Sequence, residues 1–479
     1  MSTHERPTPR RRTKIVATIG PASESPETLE ALLEAGVDVA RLNCAHETPH
    51  SLPGRVSFLR ELSRRKGVSL AILADLGGPK LRIGKLRSGA LELAPGREFV
   101  LTTESLLGNE ERASVDYPNL PSEVKPGEPI YLNDGIVRLR VLEVRGNEIR
   151  TRVEQGGWVR DGNGLNLPRS ELRAEALTPR DREALDALRG TPVDYVGLSF
   201  VRSAADIARL RHELEKRRLQ VPIVAKIEKA QAVSALGEIL DAADAAMVAR
   251  GDLGVECPLE ETPVLQKRIV RECHARARPV VTATQMLESM THSARPTRAE
   301  ATDVANAALD GTDAVMLSAE TAIGAHPVRA VETMREILVR AAAFALEVGW
   351  PPRATGERLA TEDAVSQSAC SAARAVGAGS IVCLTQSGLT ARLVASWRPR
   401  GRILAATPNE STYHRLALVW GVEPVLVPAF GKSFDESCEA VLAFLRDTGR
   451  VSRGETVVLT AGLPFSAGRR ANTVRIETA

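Results

Sequence analysis

Aromatic side chains are scarce: eight Phe, four Trp and four Tyr make up 3% of the 479 residues. Few rings are left on which bases could stack, which argues against a single-stranded nucleic-acid surface. An excess of one charge is also missing. The net charge is only +3, so no broad field draws the chain to nucleic acid. No apolar run approaches the ~20 residues that span a bilayer, and no membrane partner is expected. The six cysteines (Cys44, Cys257, Cys273, Cys370, Cys383, Cys438) form no CxxC pair. They read as free thiols in a reducing, cytoplasmic setting. Lysine is rare too, ten against 53 arginines. A lysine inside a motif is then expected where a compact ammonium is needed. Residues 1–12 are basic with no apolar segment behind them, and read as a flexible tail.

What is present centres on Val221–Gly254. Two short runs, Pro222–Ala225 and Ala245–Ala249, are apolar throughout, as buried parallel strands are. Between them Ala230–Leu240 suits one crossover helix. Such a unit sets the strands side by side and pointing the same way. Lys226, Glu228, Arg250 and Asp252 should then converge at the carboxyl end of the sheet, where α/β folds place their sites. Glu228 and Asp252 are hard oxygen donors suited to Mg²⁺ or Mn²⁺. Lys226 would add a point charge beside the metal. The bland alternative is a structural ion-pair network at the rim.

In chain order, strands are expected at Lys14–Gly20, Val37–Leu42 and Leu70–Ala74, then at Tyr195–Phe200, Ile223–Ile227, Ala246–Ala249, Val280–Thr284 and Ala314–Ser318. Eight βα units point to a closed (β/α)₈ barrel over 13–78 and 169–345; a doubly wound sheet is the alternative. Residues 79–168 lose helical periodicity and read as an inserted small β-barrel, placed to act as a lid. Residues 351–479 read as a separate open α/β domain. Its Thr385–Thr390 loop joins a strand to a helix start. It is either an ordinary βα turn or a phosphate-holding loop.

The blocks TKIVATIGPAS (13–23), VARLN (39–43), LSFVR (198–202), AKIE (225–228), MVARGDLGVE (247–256), TATQMLESM (282–290) and RPTRAEATDVANAALDGTDAVMLSAET (295–321) resemble the pyruvate kinase family. The likeness runs from Thr13 to the end of the chain. It implies phosphoryl transfer from phosphoenolpyruvate to ADP, yielding pyruvate and ATP in glycolysis. It implies Glu228 and Asp252 as Mg²⁺ ligands and Lys226 facing the phosphoryl group and then the enolate. Arg41 and Arg82 match phosphate contacts, and Thr284 matches a residue near the carbon that is protonated. Ser318 and Glu320 stand near that relay. Asn43, His46, Gly251 and Asp252 match substrate and nucleotide positions. The potassium-site positions are Asn43, Asp75 and Leu76. The effector loop would be Thr385, Gln386, Ser387, Gly388 and Thr390, with a phosphorylated activator. The C-terminal domain would serve regulation and assembly into a homotetramer.

The sequence departs from that pattern in three places. Ala45 stands where the family carries a hydroxyl ligand for potassium, and Lys80 where it carries an acid. A fixed ammonium there would substitute for the ion, so K⁺ is expected to be dispensable. The lid stretch Arg160–Pro168 lacks the usual lysine that meets nucleotide phosphate, which leaves nucleotide preference open. Ala319 replaces a glycine. Two other readings stay open: a Mg²⁺-dependent barrel lyase or aldolase of pyruvate-like acids, and a non-catalytic metabolite-binding paralogue.

Overall fold

A computed structural model describes residues 10–170, 173, 175–354, 356, 358–465 and 470–479. Eight strands close into an all-parallel barrel: β1 (Lys14–Ile19), β2 (Val39–Asn43), β3 (Ala71–Asp75), β4 (Tyr195–Leu198), β5 (Ile223–Ile227), β6 (Ala245–Ala249), β7 (Val280–Ala283) and β8 (Ala314–Leu317). Ring order follows chain order, and β1 closes on β8 with Ile15 beside Val315. The strands are apolar throughout because both faces are covered. Val16, Leu73, Val224, Met247 and Val281 fill the interior, while Leu32, Leu59, Ile207 and Ile269 pack helices on the outside.

Short polar side chains start the helices. Ser25 accepts from the Thr28 amide ahead of Pro26–Ala35, and Thr178 and Thr297 form reciprocal capping boxes with Asp181 and Glu300. The crossover expected as one helix over Ala230–Leu240 is two, Ala230–Ser234 and Leu236–Ala242, divided at Ala235. Ser234 bonds back to the Ala230 carbonyl and Gly237 follows, so helical preference is weakest at that point.

Between β3 and β4 the chain leaves the barrel and builds a curled six-stranded sheet. Its order is Leu165–Asn166, Pro129–Leu132, Val137–Arg145, Glu148–Gln155, Glu98–Thr102, Arg112–Ser114. A second pair joins Ala90–Leu93 to Gly157–Arg160. This insert has its own core, with Phe99, Leu101, Ile130, Leu139 and Ile149 buried together. Because it departs from the end of β3, it stands over the carboxyl rim of the barrel.

The last part of the chain is an open sheet ordered Val422–Leu426, Arg402–Thr407, Ser380–Leu384, Thr456–Ala461, Thr473–Thr478, with only the final strand antiparallel. It plugs the opposite, amino end of the barrel. Ala417 and Leu418 join the interior cluster, and Tyr195 Oη donates to the Arg415 carbonyl at 2.8 Å. Among the described residues no helix is long and apolar enough to cross a membrane.

The tail expected over 1–12 does not include Arg11 and Arg12. Residues 1–9 lie outside the described ones. Arg12 is buried, its guanidinium donating to the carbonyls of Arg400 (2.8 Å) and Gly401 (3.1 Å). Arg11 pairs with Asp38 at 2.6 Å. Basic residues read as solvated are instead partners for carbonyls at the seam between barrel and C-terminal sheet.

That seam contains a titratable link. His414 is buried, and its Nδ1 accepts from the Leu70 amide at 3.3 Å. Burial, then the nearby Arg60 cation, push the imidazole from 6.5 down to about 3. The folded value lies below the unfolded one, so stability present above pH 6.5 is lost as pH falls from 6.5 toward 3. Thermal melts at pH 7 and 4.5 should show this loss, on the order of 2 kcal/mol. His414→Gln, which keeps an acceptor, should show a smaller acid-side drop.

Candidate active site

The rim cluster is assembled by strand register. β5 and β6 pair with Lys226 beside Met247, so Lys226 and Glu228 emerge next to the helix Arg250–Glu256 that carries Asp252. β2 and β3 place Asn43 beside Asp75, and Arg41 points into the same space. Lys226 Nζ lies 3.0 Å from Glu228 Oε1 and 3.6 Å from Asp75 Oδ2, and donates to Ser199 Oγ at 2.7 Å. Asp75 Oδ2 also accepts from Arg41 Nε at 2.7 Å, and Arg41 Nη1 donates to Thr18 Oγ1 at 3.0 Å. Glu228 Oε2 accepts from the Phe200 amide at 2.8 Å. Asp75 lies across β4 because Gly197 has no side chain; a Cβ there would stand 2.6 Å from Asp75 Oδ1.

The charges answer one another. Burial alone would depress the Lys226 ammonium, but Asp75 and Glu228 outweigh it and hold the pKa above the ordinary value. Burial alone would raise Asp75, but Lys226 and Arg41 hold it below the ordinary carboxylate range. Glu228 goes the other way: burial raises it, Lys226 opposes, and the Asp252 charge raises it further. The buried Glu228 carboxylate and the partly exposed Asp252 carboxylate thus repel one another, a cost that a cation between them would relieve. Their hard oxygens fit Mg²⁺ or Mn²⁺, with substrate and water oxygens completing the shell. Asp75 Oδ1 and Ser318 Oγ are buried with no partner among the described residues.

Other expected residues take separate places. Thr284 sits at φ +69 just past β7, and its Oγ1 accepts from the Gly251 amide at 2.7 Å. Beyond β8, Glu320 accepts from the amides of Ser318 (2.7 Å) and Leu287 (3.1 Å). Burial holds the Glu320 carboxyl above its ordinary value against those amide bonds. Leu76 is buried, and its carbonyl accepts from Ser199 Oγ. Asn43 Oδ1 accepts from the Ala45 amide, and His46 is exposed. In the C-terminal sheet Thr385 Oγ1 accepts from the Gly388 amide at 2.9 Å. Gln386 and Ser387 are exposed, and Gly388 and Thr390 open the next helix.

Two expectations need correction. Arg250 does not join the rim cluster. Its guanidinium donates to Asp303 (2.7 Å) and to the Thr284 carbonyl (2.7 Å), tying the end of β6 to the end of β7. A helix begins at Arg250 directly after β6, which turns the side chain outward. Lys80, expected among Asn43, Asp75 and Leu76, has its Nζ 3.9 Å from Asp252 Oδ1 and 4.0 Å from Asp134 of the lid. Arg41 and Lys226 already occupy Asp75. Arg82 is exposed on the lid side, donating to the Gly162 carbonyl at 2.9 Å.

Comparison with known proteins meets this geometry. The family profile for "Pyruvate kinase, barrel domain" matches residues 10–331, and that for "Pyruvate kinase, alpha/beta domain" matches 363–477. The chain belongs to the pyruvate kinase family. A pyruvate kinase of Geobacillus stearothermophilus is 43% identical over 98% of this chain and 80% of its own length. One from Thermococcus litoralis is 40% identical over 98% of both chains. A crystal structure of a pyruvate kinase from Cryptosporidium parvum superposes with TM-score 0.89 at 33% identity, covering 98% of this chain and 96% of that one. Membership in the pyruvate kinase family carries the phosphotransferase activity for which the family is named.

Sequence reasoning missed Thr18, Ser199 and Phe200, which hold Arg41, Lys226 and Glu228. Ser199 and Phe200 lie inside the LSFVR block that helped reveal the pyruvate kinase likeness, but nothing in their spacing pointed to a partner. The cluster's dependence on charge pairing has a measurable consequence. Asp75→Asn leaves Arg41 and Lys226 short of a buried anion. It should destabilise the protein by about 3 kcal/mol, read as a lower urea midpoint.

Proposed function

We propose that the protein transfers the phosphoryl group of phosphoenolpyruvate to ADP, forming pyruvate and ATP, with Mg²⁺ or Mn²⁺ and without a need for potassium. The observation that carries this reading is Lys226. It is a largely buried, protonated ammonium beside the Glu228–Asp252 carboxylates, in a fold whose lid stands over that rim. Phosphoryl transfer asks a protein for positioning and for cations around the equatorial oxygens. Glu228 and Asp252 would hold the divalent ion, which when bound neutralises phosphoryl and carboxylate oxygens.

The remaining roles fall to the chain's own groups. As the phosphorus–enol oxygen bond breaks, a bond forms from phosphorus to a terminal oxygen of ADP. The electron pair stays on the enolate oxygen, which Lys226 stabilises. Arg41, oriented by Asp75 and Thr18, supplies a rigid fork for phosphate, and Arg82 contributes from the lid side. Thr284 then guides the proton to the enolate carbon. Ser318, with its buried hydroxyl, and Glu320, with its raised pKa, supply that proton through water. Asn43, His46 and Gly251 lie toward the nucleotide. Potassium independence is supported by Ala45, which offers no hydroxyl where the family carries one. We assign residues 79–168 to the lid and 351–479 to regulation and homotetramer assembly in the cytoplasm. The Thr385–Thr390 loop would take a phosphorylated effector.

A coupled assay for ATP formation, with potassium replaced by a large inert cation and with sugar phosphates titrated in, tests the reading. Turnover should survive the replacement; a loss greater than about tenfold would overturn potassium independence. Lys226→Met should fold normally, because the aliphatic stem packs alike, and should lose about 10³-fold or more in kcat. Retention of a tenth of wild-type activity would count against the assignment.

A further inference from the structure

We propose that Asn166, Lys229 and Glu256 are positioning residues, a buried latch that ties the lid to the two loops bearing Glu228 and Asp252. Asn166 lies on the last lid strand, Leu165–Asn166. Its Nδ2 donates to Glu256 Oε1 at 3.0 Å. Lys229 Nζ donates to the same oxygen at 2.5 Å. All three residues are less than a tenth exposed. Glu256 Oε2 is buried with no partner among the described residues, so the carboxylate is held by Lys229 and Asn166 through one oxygen.

The latch reaches both candidate metal ligands through the chain itself. Lys229 directly follows Glu228. Glu256 stands one helical turn after Asp252, on the same helix and the same face. A third path runs through Phe200. Its ring lies 5.6 Å from Lys229 Nζ, within cation–π reach, while its amide holds Glu228 Oε2. Phe200 sits at φ +55, a costly backbone state for a bulky residue. It also packs on the lid's point of departure. A Cβ at Gly78, itself at φ +65, would stand 2.8 Å from the Phe200 ring. The segment where the chain leaves the barrel and the strand by which it returns therefore press on one group of side chains. A small cavity between lid and barrel is lined by Leu165, Asn166, Phe200, Lys229 and Gln231, so lid and barrel side chains of this group border one space.

The physical consequence is coupling. Glu256 stays with Lys229 on the barrel side, so an opening lid must break the Asn166–Glu256 bond and leave a buried carboxylate oxygen with one partner fewer, which is costly. Lid closure and the placement of Glu228 and Asp252 thus share one free energy. The consequence for turnover rests on the phosphotransferase reading; the latch itself rests on geometry alone.

Two measurements test it. Amide hydrogen exchange on the metal-free protein should quicken about tenfold across 157–167 in Asn166→Ala, while β5 and β6 exchange as in wild type. Unchanged exchange in that segment overturns the latch, as does equal acceleration in β5 and β6, the mark of general destabilisation. In steady state, Asn166→Ala and Lys229→Met should lower kcat about tenfold with KM for phosphoenolpyruvate within about twofold. Lys229→Arg, which keeps the cation, should recover most of kcat. A loss confined to KM, or no recovery with Arg, overturns the coupling. A wild-type protein that forms no ATP overturns the phosphotransferase reading and leaves the exchange experiment to judge the latch.

Discussion

The buried ion cluster at the carboxyl rim of the barrel is the constraint on which the site depends. Desolvating a charge costs several kcal/mol, and only close pairing with good hydrogen bonds returns it. Lys226 meets that condition through Asp75, Glu228 and Ser199, and Asp75 meets it through Arg41 as well. Three carboxylates, Asp75, Glu228 and Asp252, face two cations, Arg41 and Lys226. Lys80 Nζ, 3.9 Å from Asp252 Oδ1, is a third cation at the more exposed edge of the group. Burial first, and the Asp252 charge after it, raise the Glu228 carboxyl against the pull of Lys226.

Everything around the cluster serves to keep it dry and in register. Closure of the barrel removes every sheet edge and fixes which strand ends meet. The Ala417–Leu418 turn seals the opposite end, and the lid covers the near one. Small residues make the close approaches, Gly197 under Asp75 and Gly78 under Phe200. Arg250 braces β6 against β7 from outside the cluster, which explains a charged residue at a rim position with no ligand to meet.

Much of this is legible in the residues alone. The eight apolar runs and their spacing announced a barrel, because strands buried on both faces cannot alternate. The loss of helical periodicity over 79–168 announced the insert. The convergence of Lys226, Glu228 and Asp252 followed from one strand–helix–strand unit. Other features were not legible, for identifiable reasons. Arg250 has the same local setting as Asp252, and only the turn of the following helix sends it elsewhere. The partners of Lys80 come from the lid and from the helix after β6, far apart in sequence. Residues 10–12 look like a solvated basic tail because the carbonyls that bind Arg12 belong to residues nearly 400 positions away.

Local order along the chain therefore determined the elements, the barrel, and the residue types at the rim, since burial on two faces and capping chemistry act over a few neighbours. Tertiary structure alone decided which charge pairs with which. Ion pairing is set by distances of 3–4 Å in a dry interior, and those distances exist only once the barrel has closed and the lid has folded back onto it.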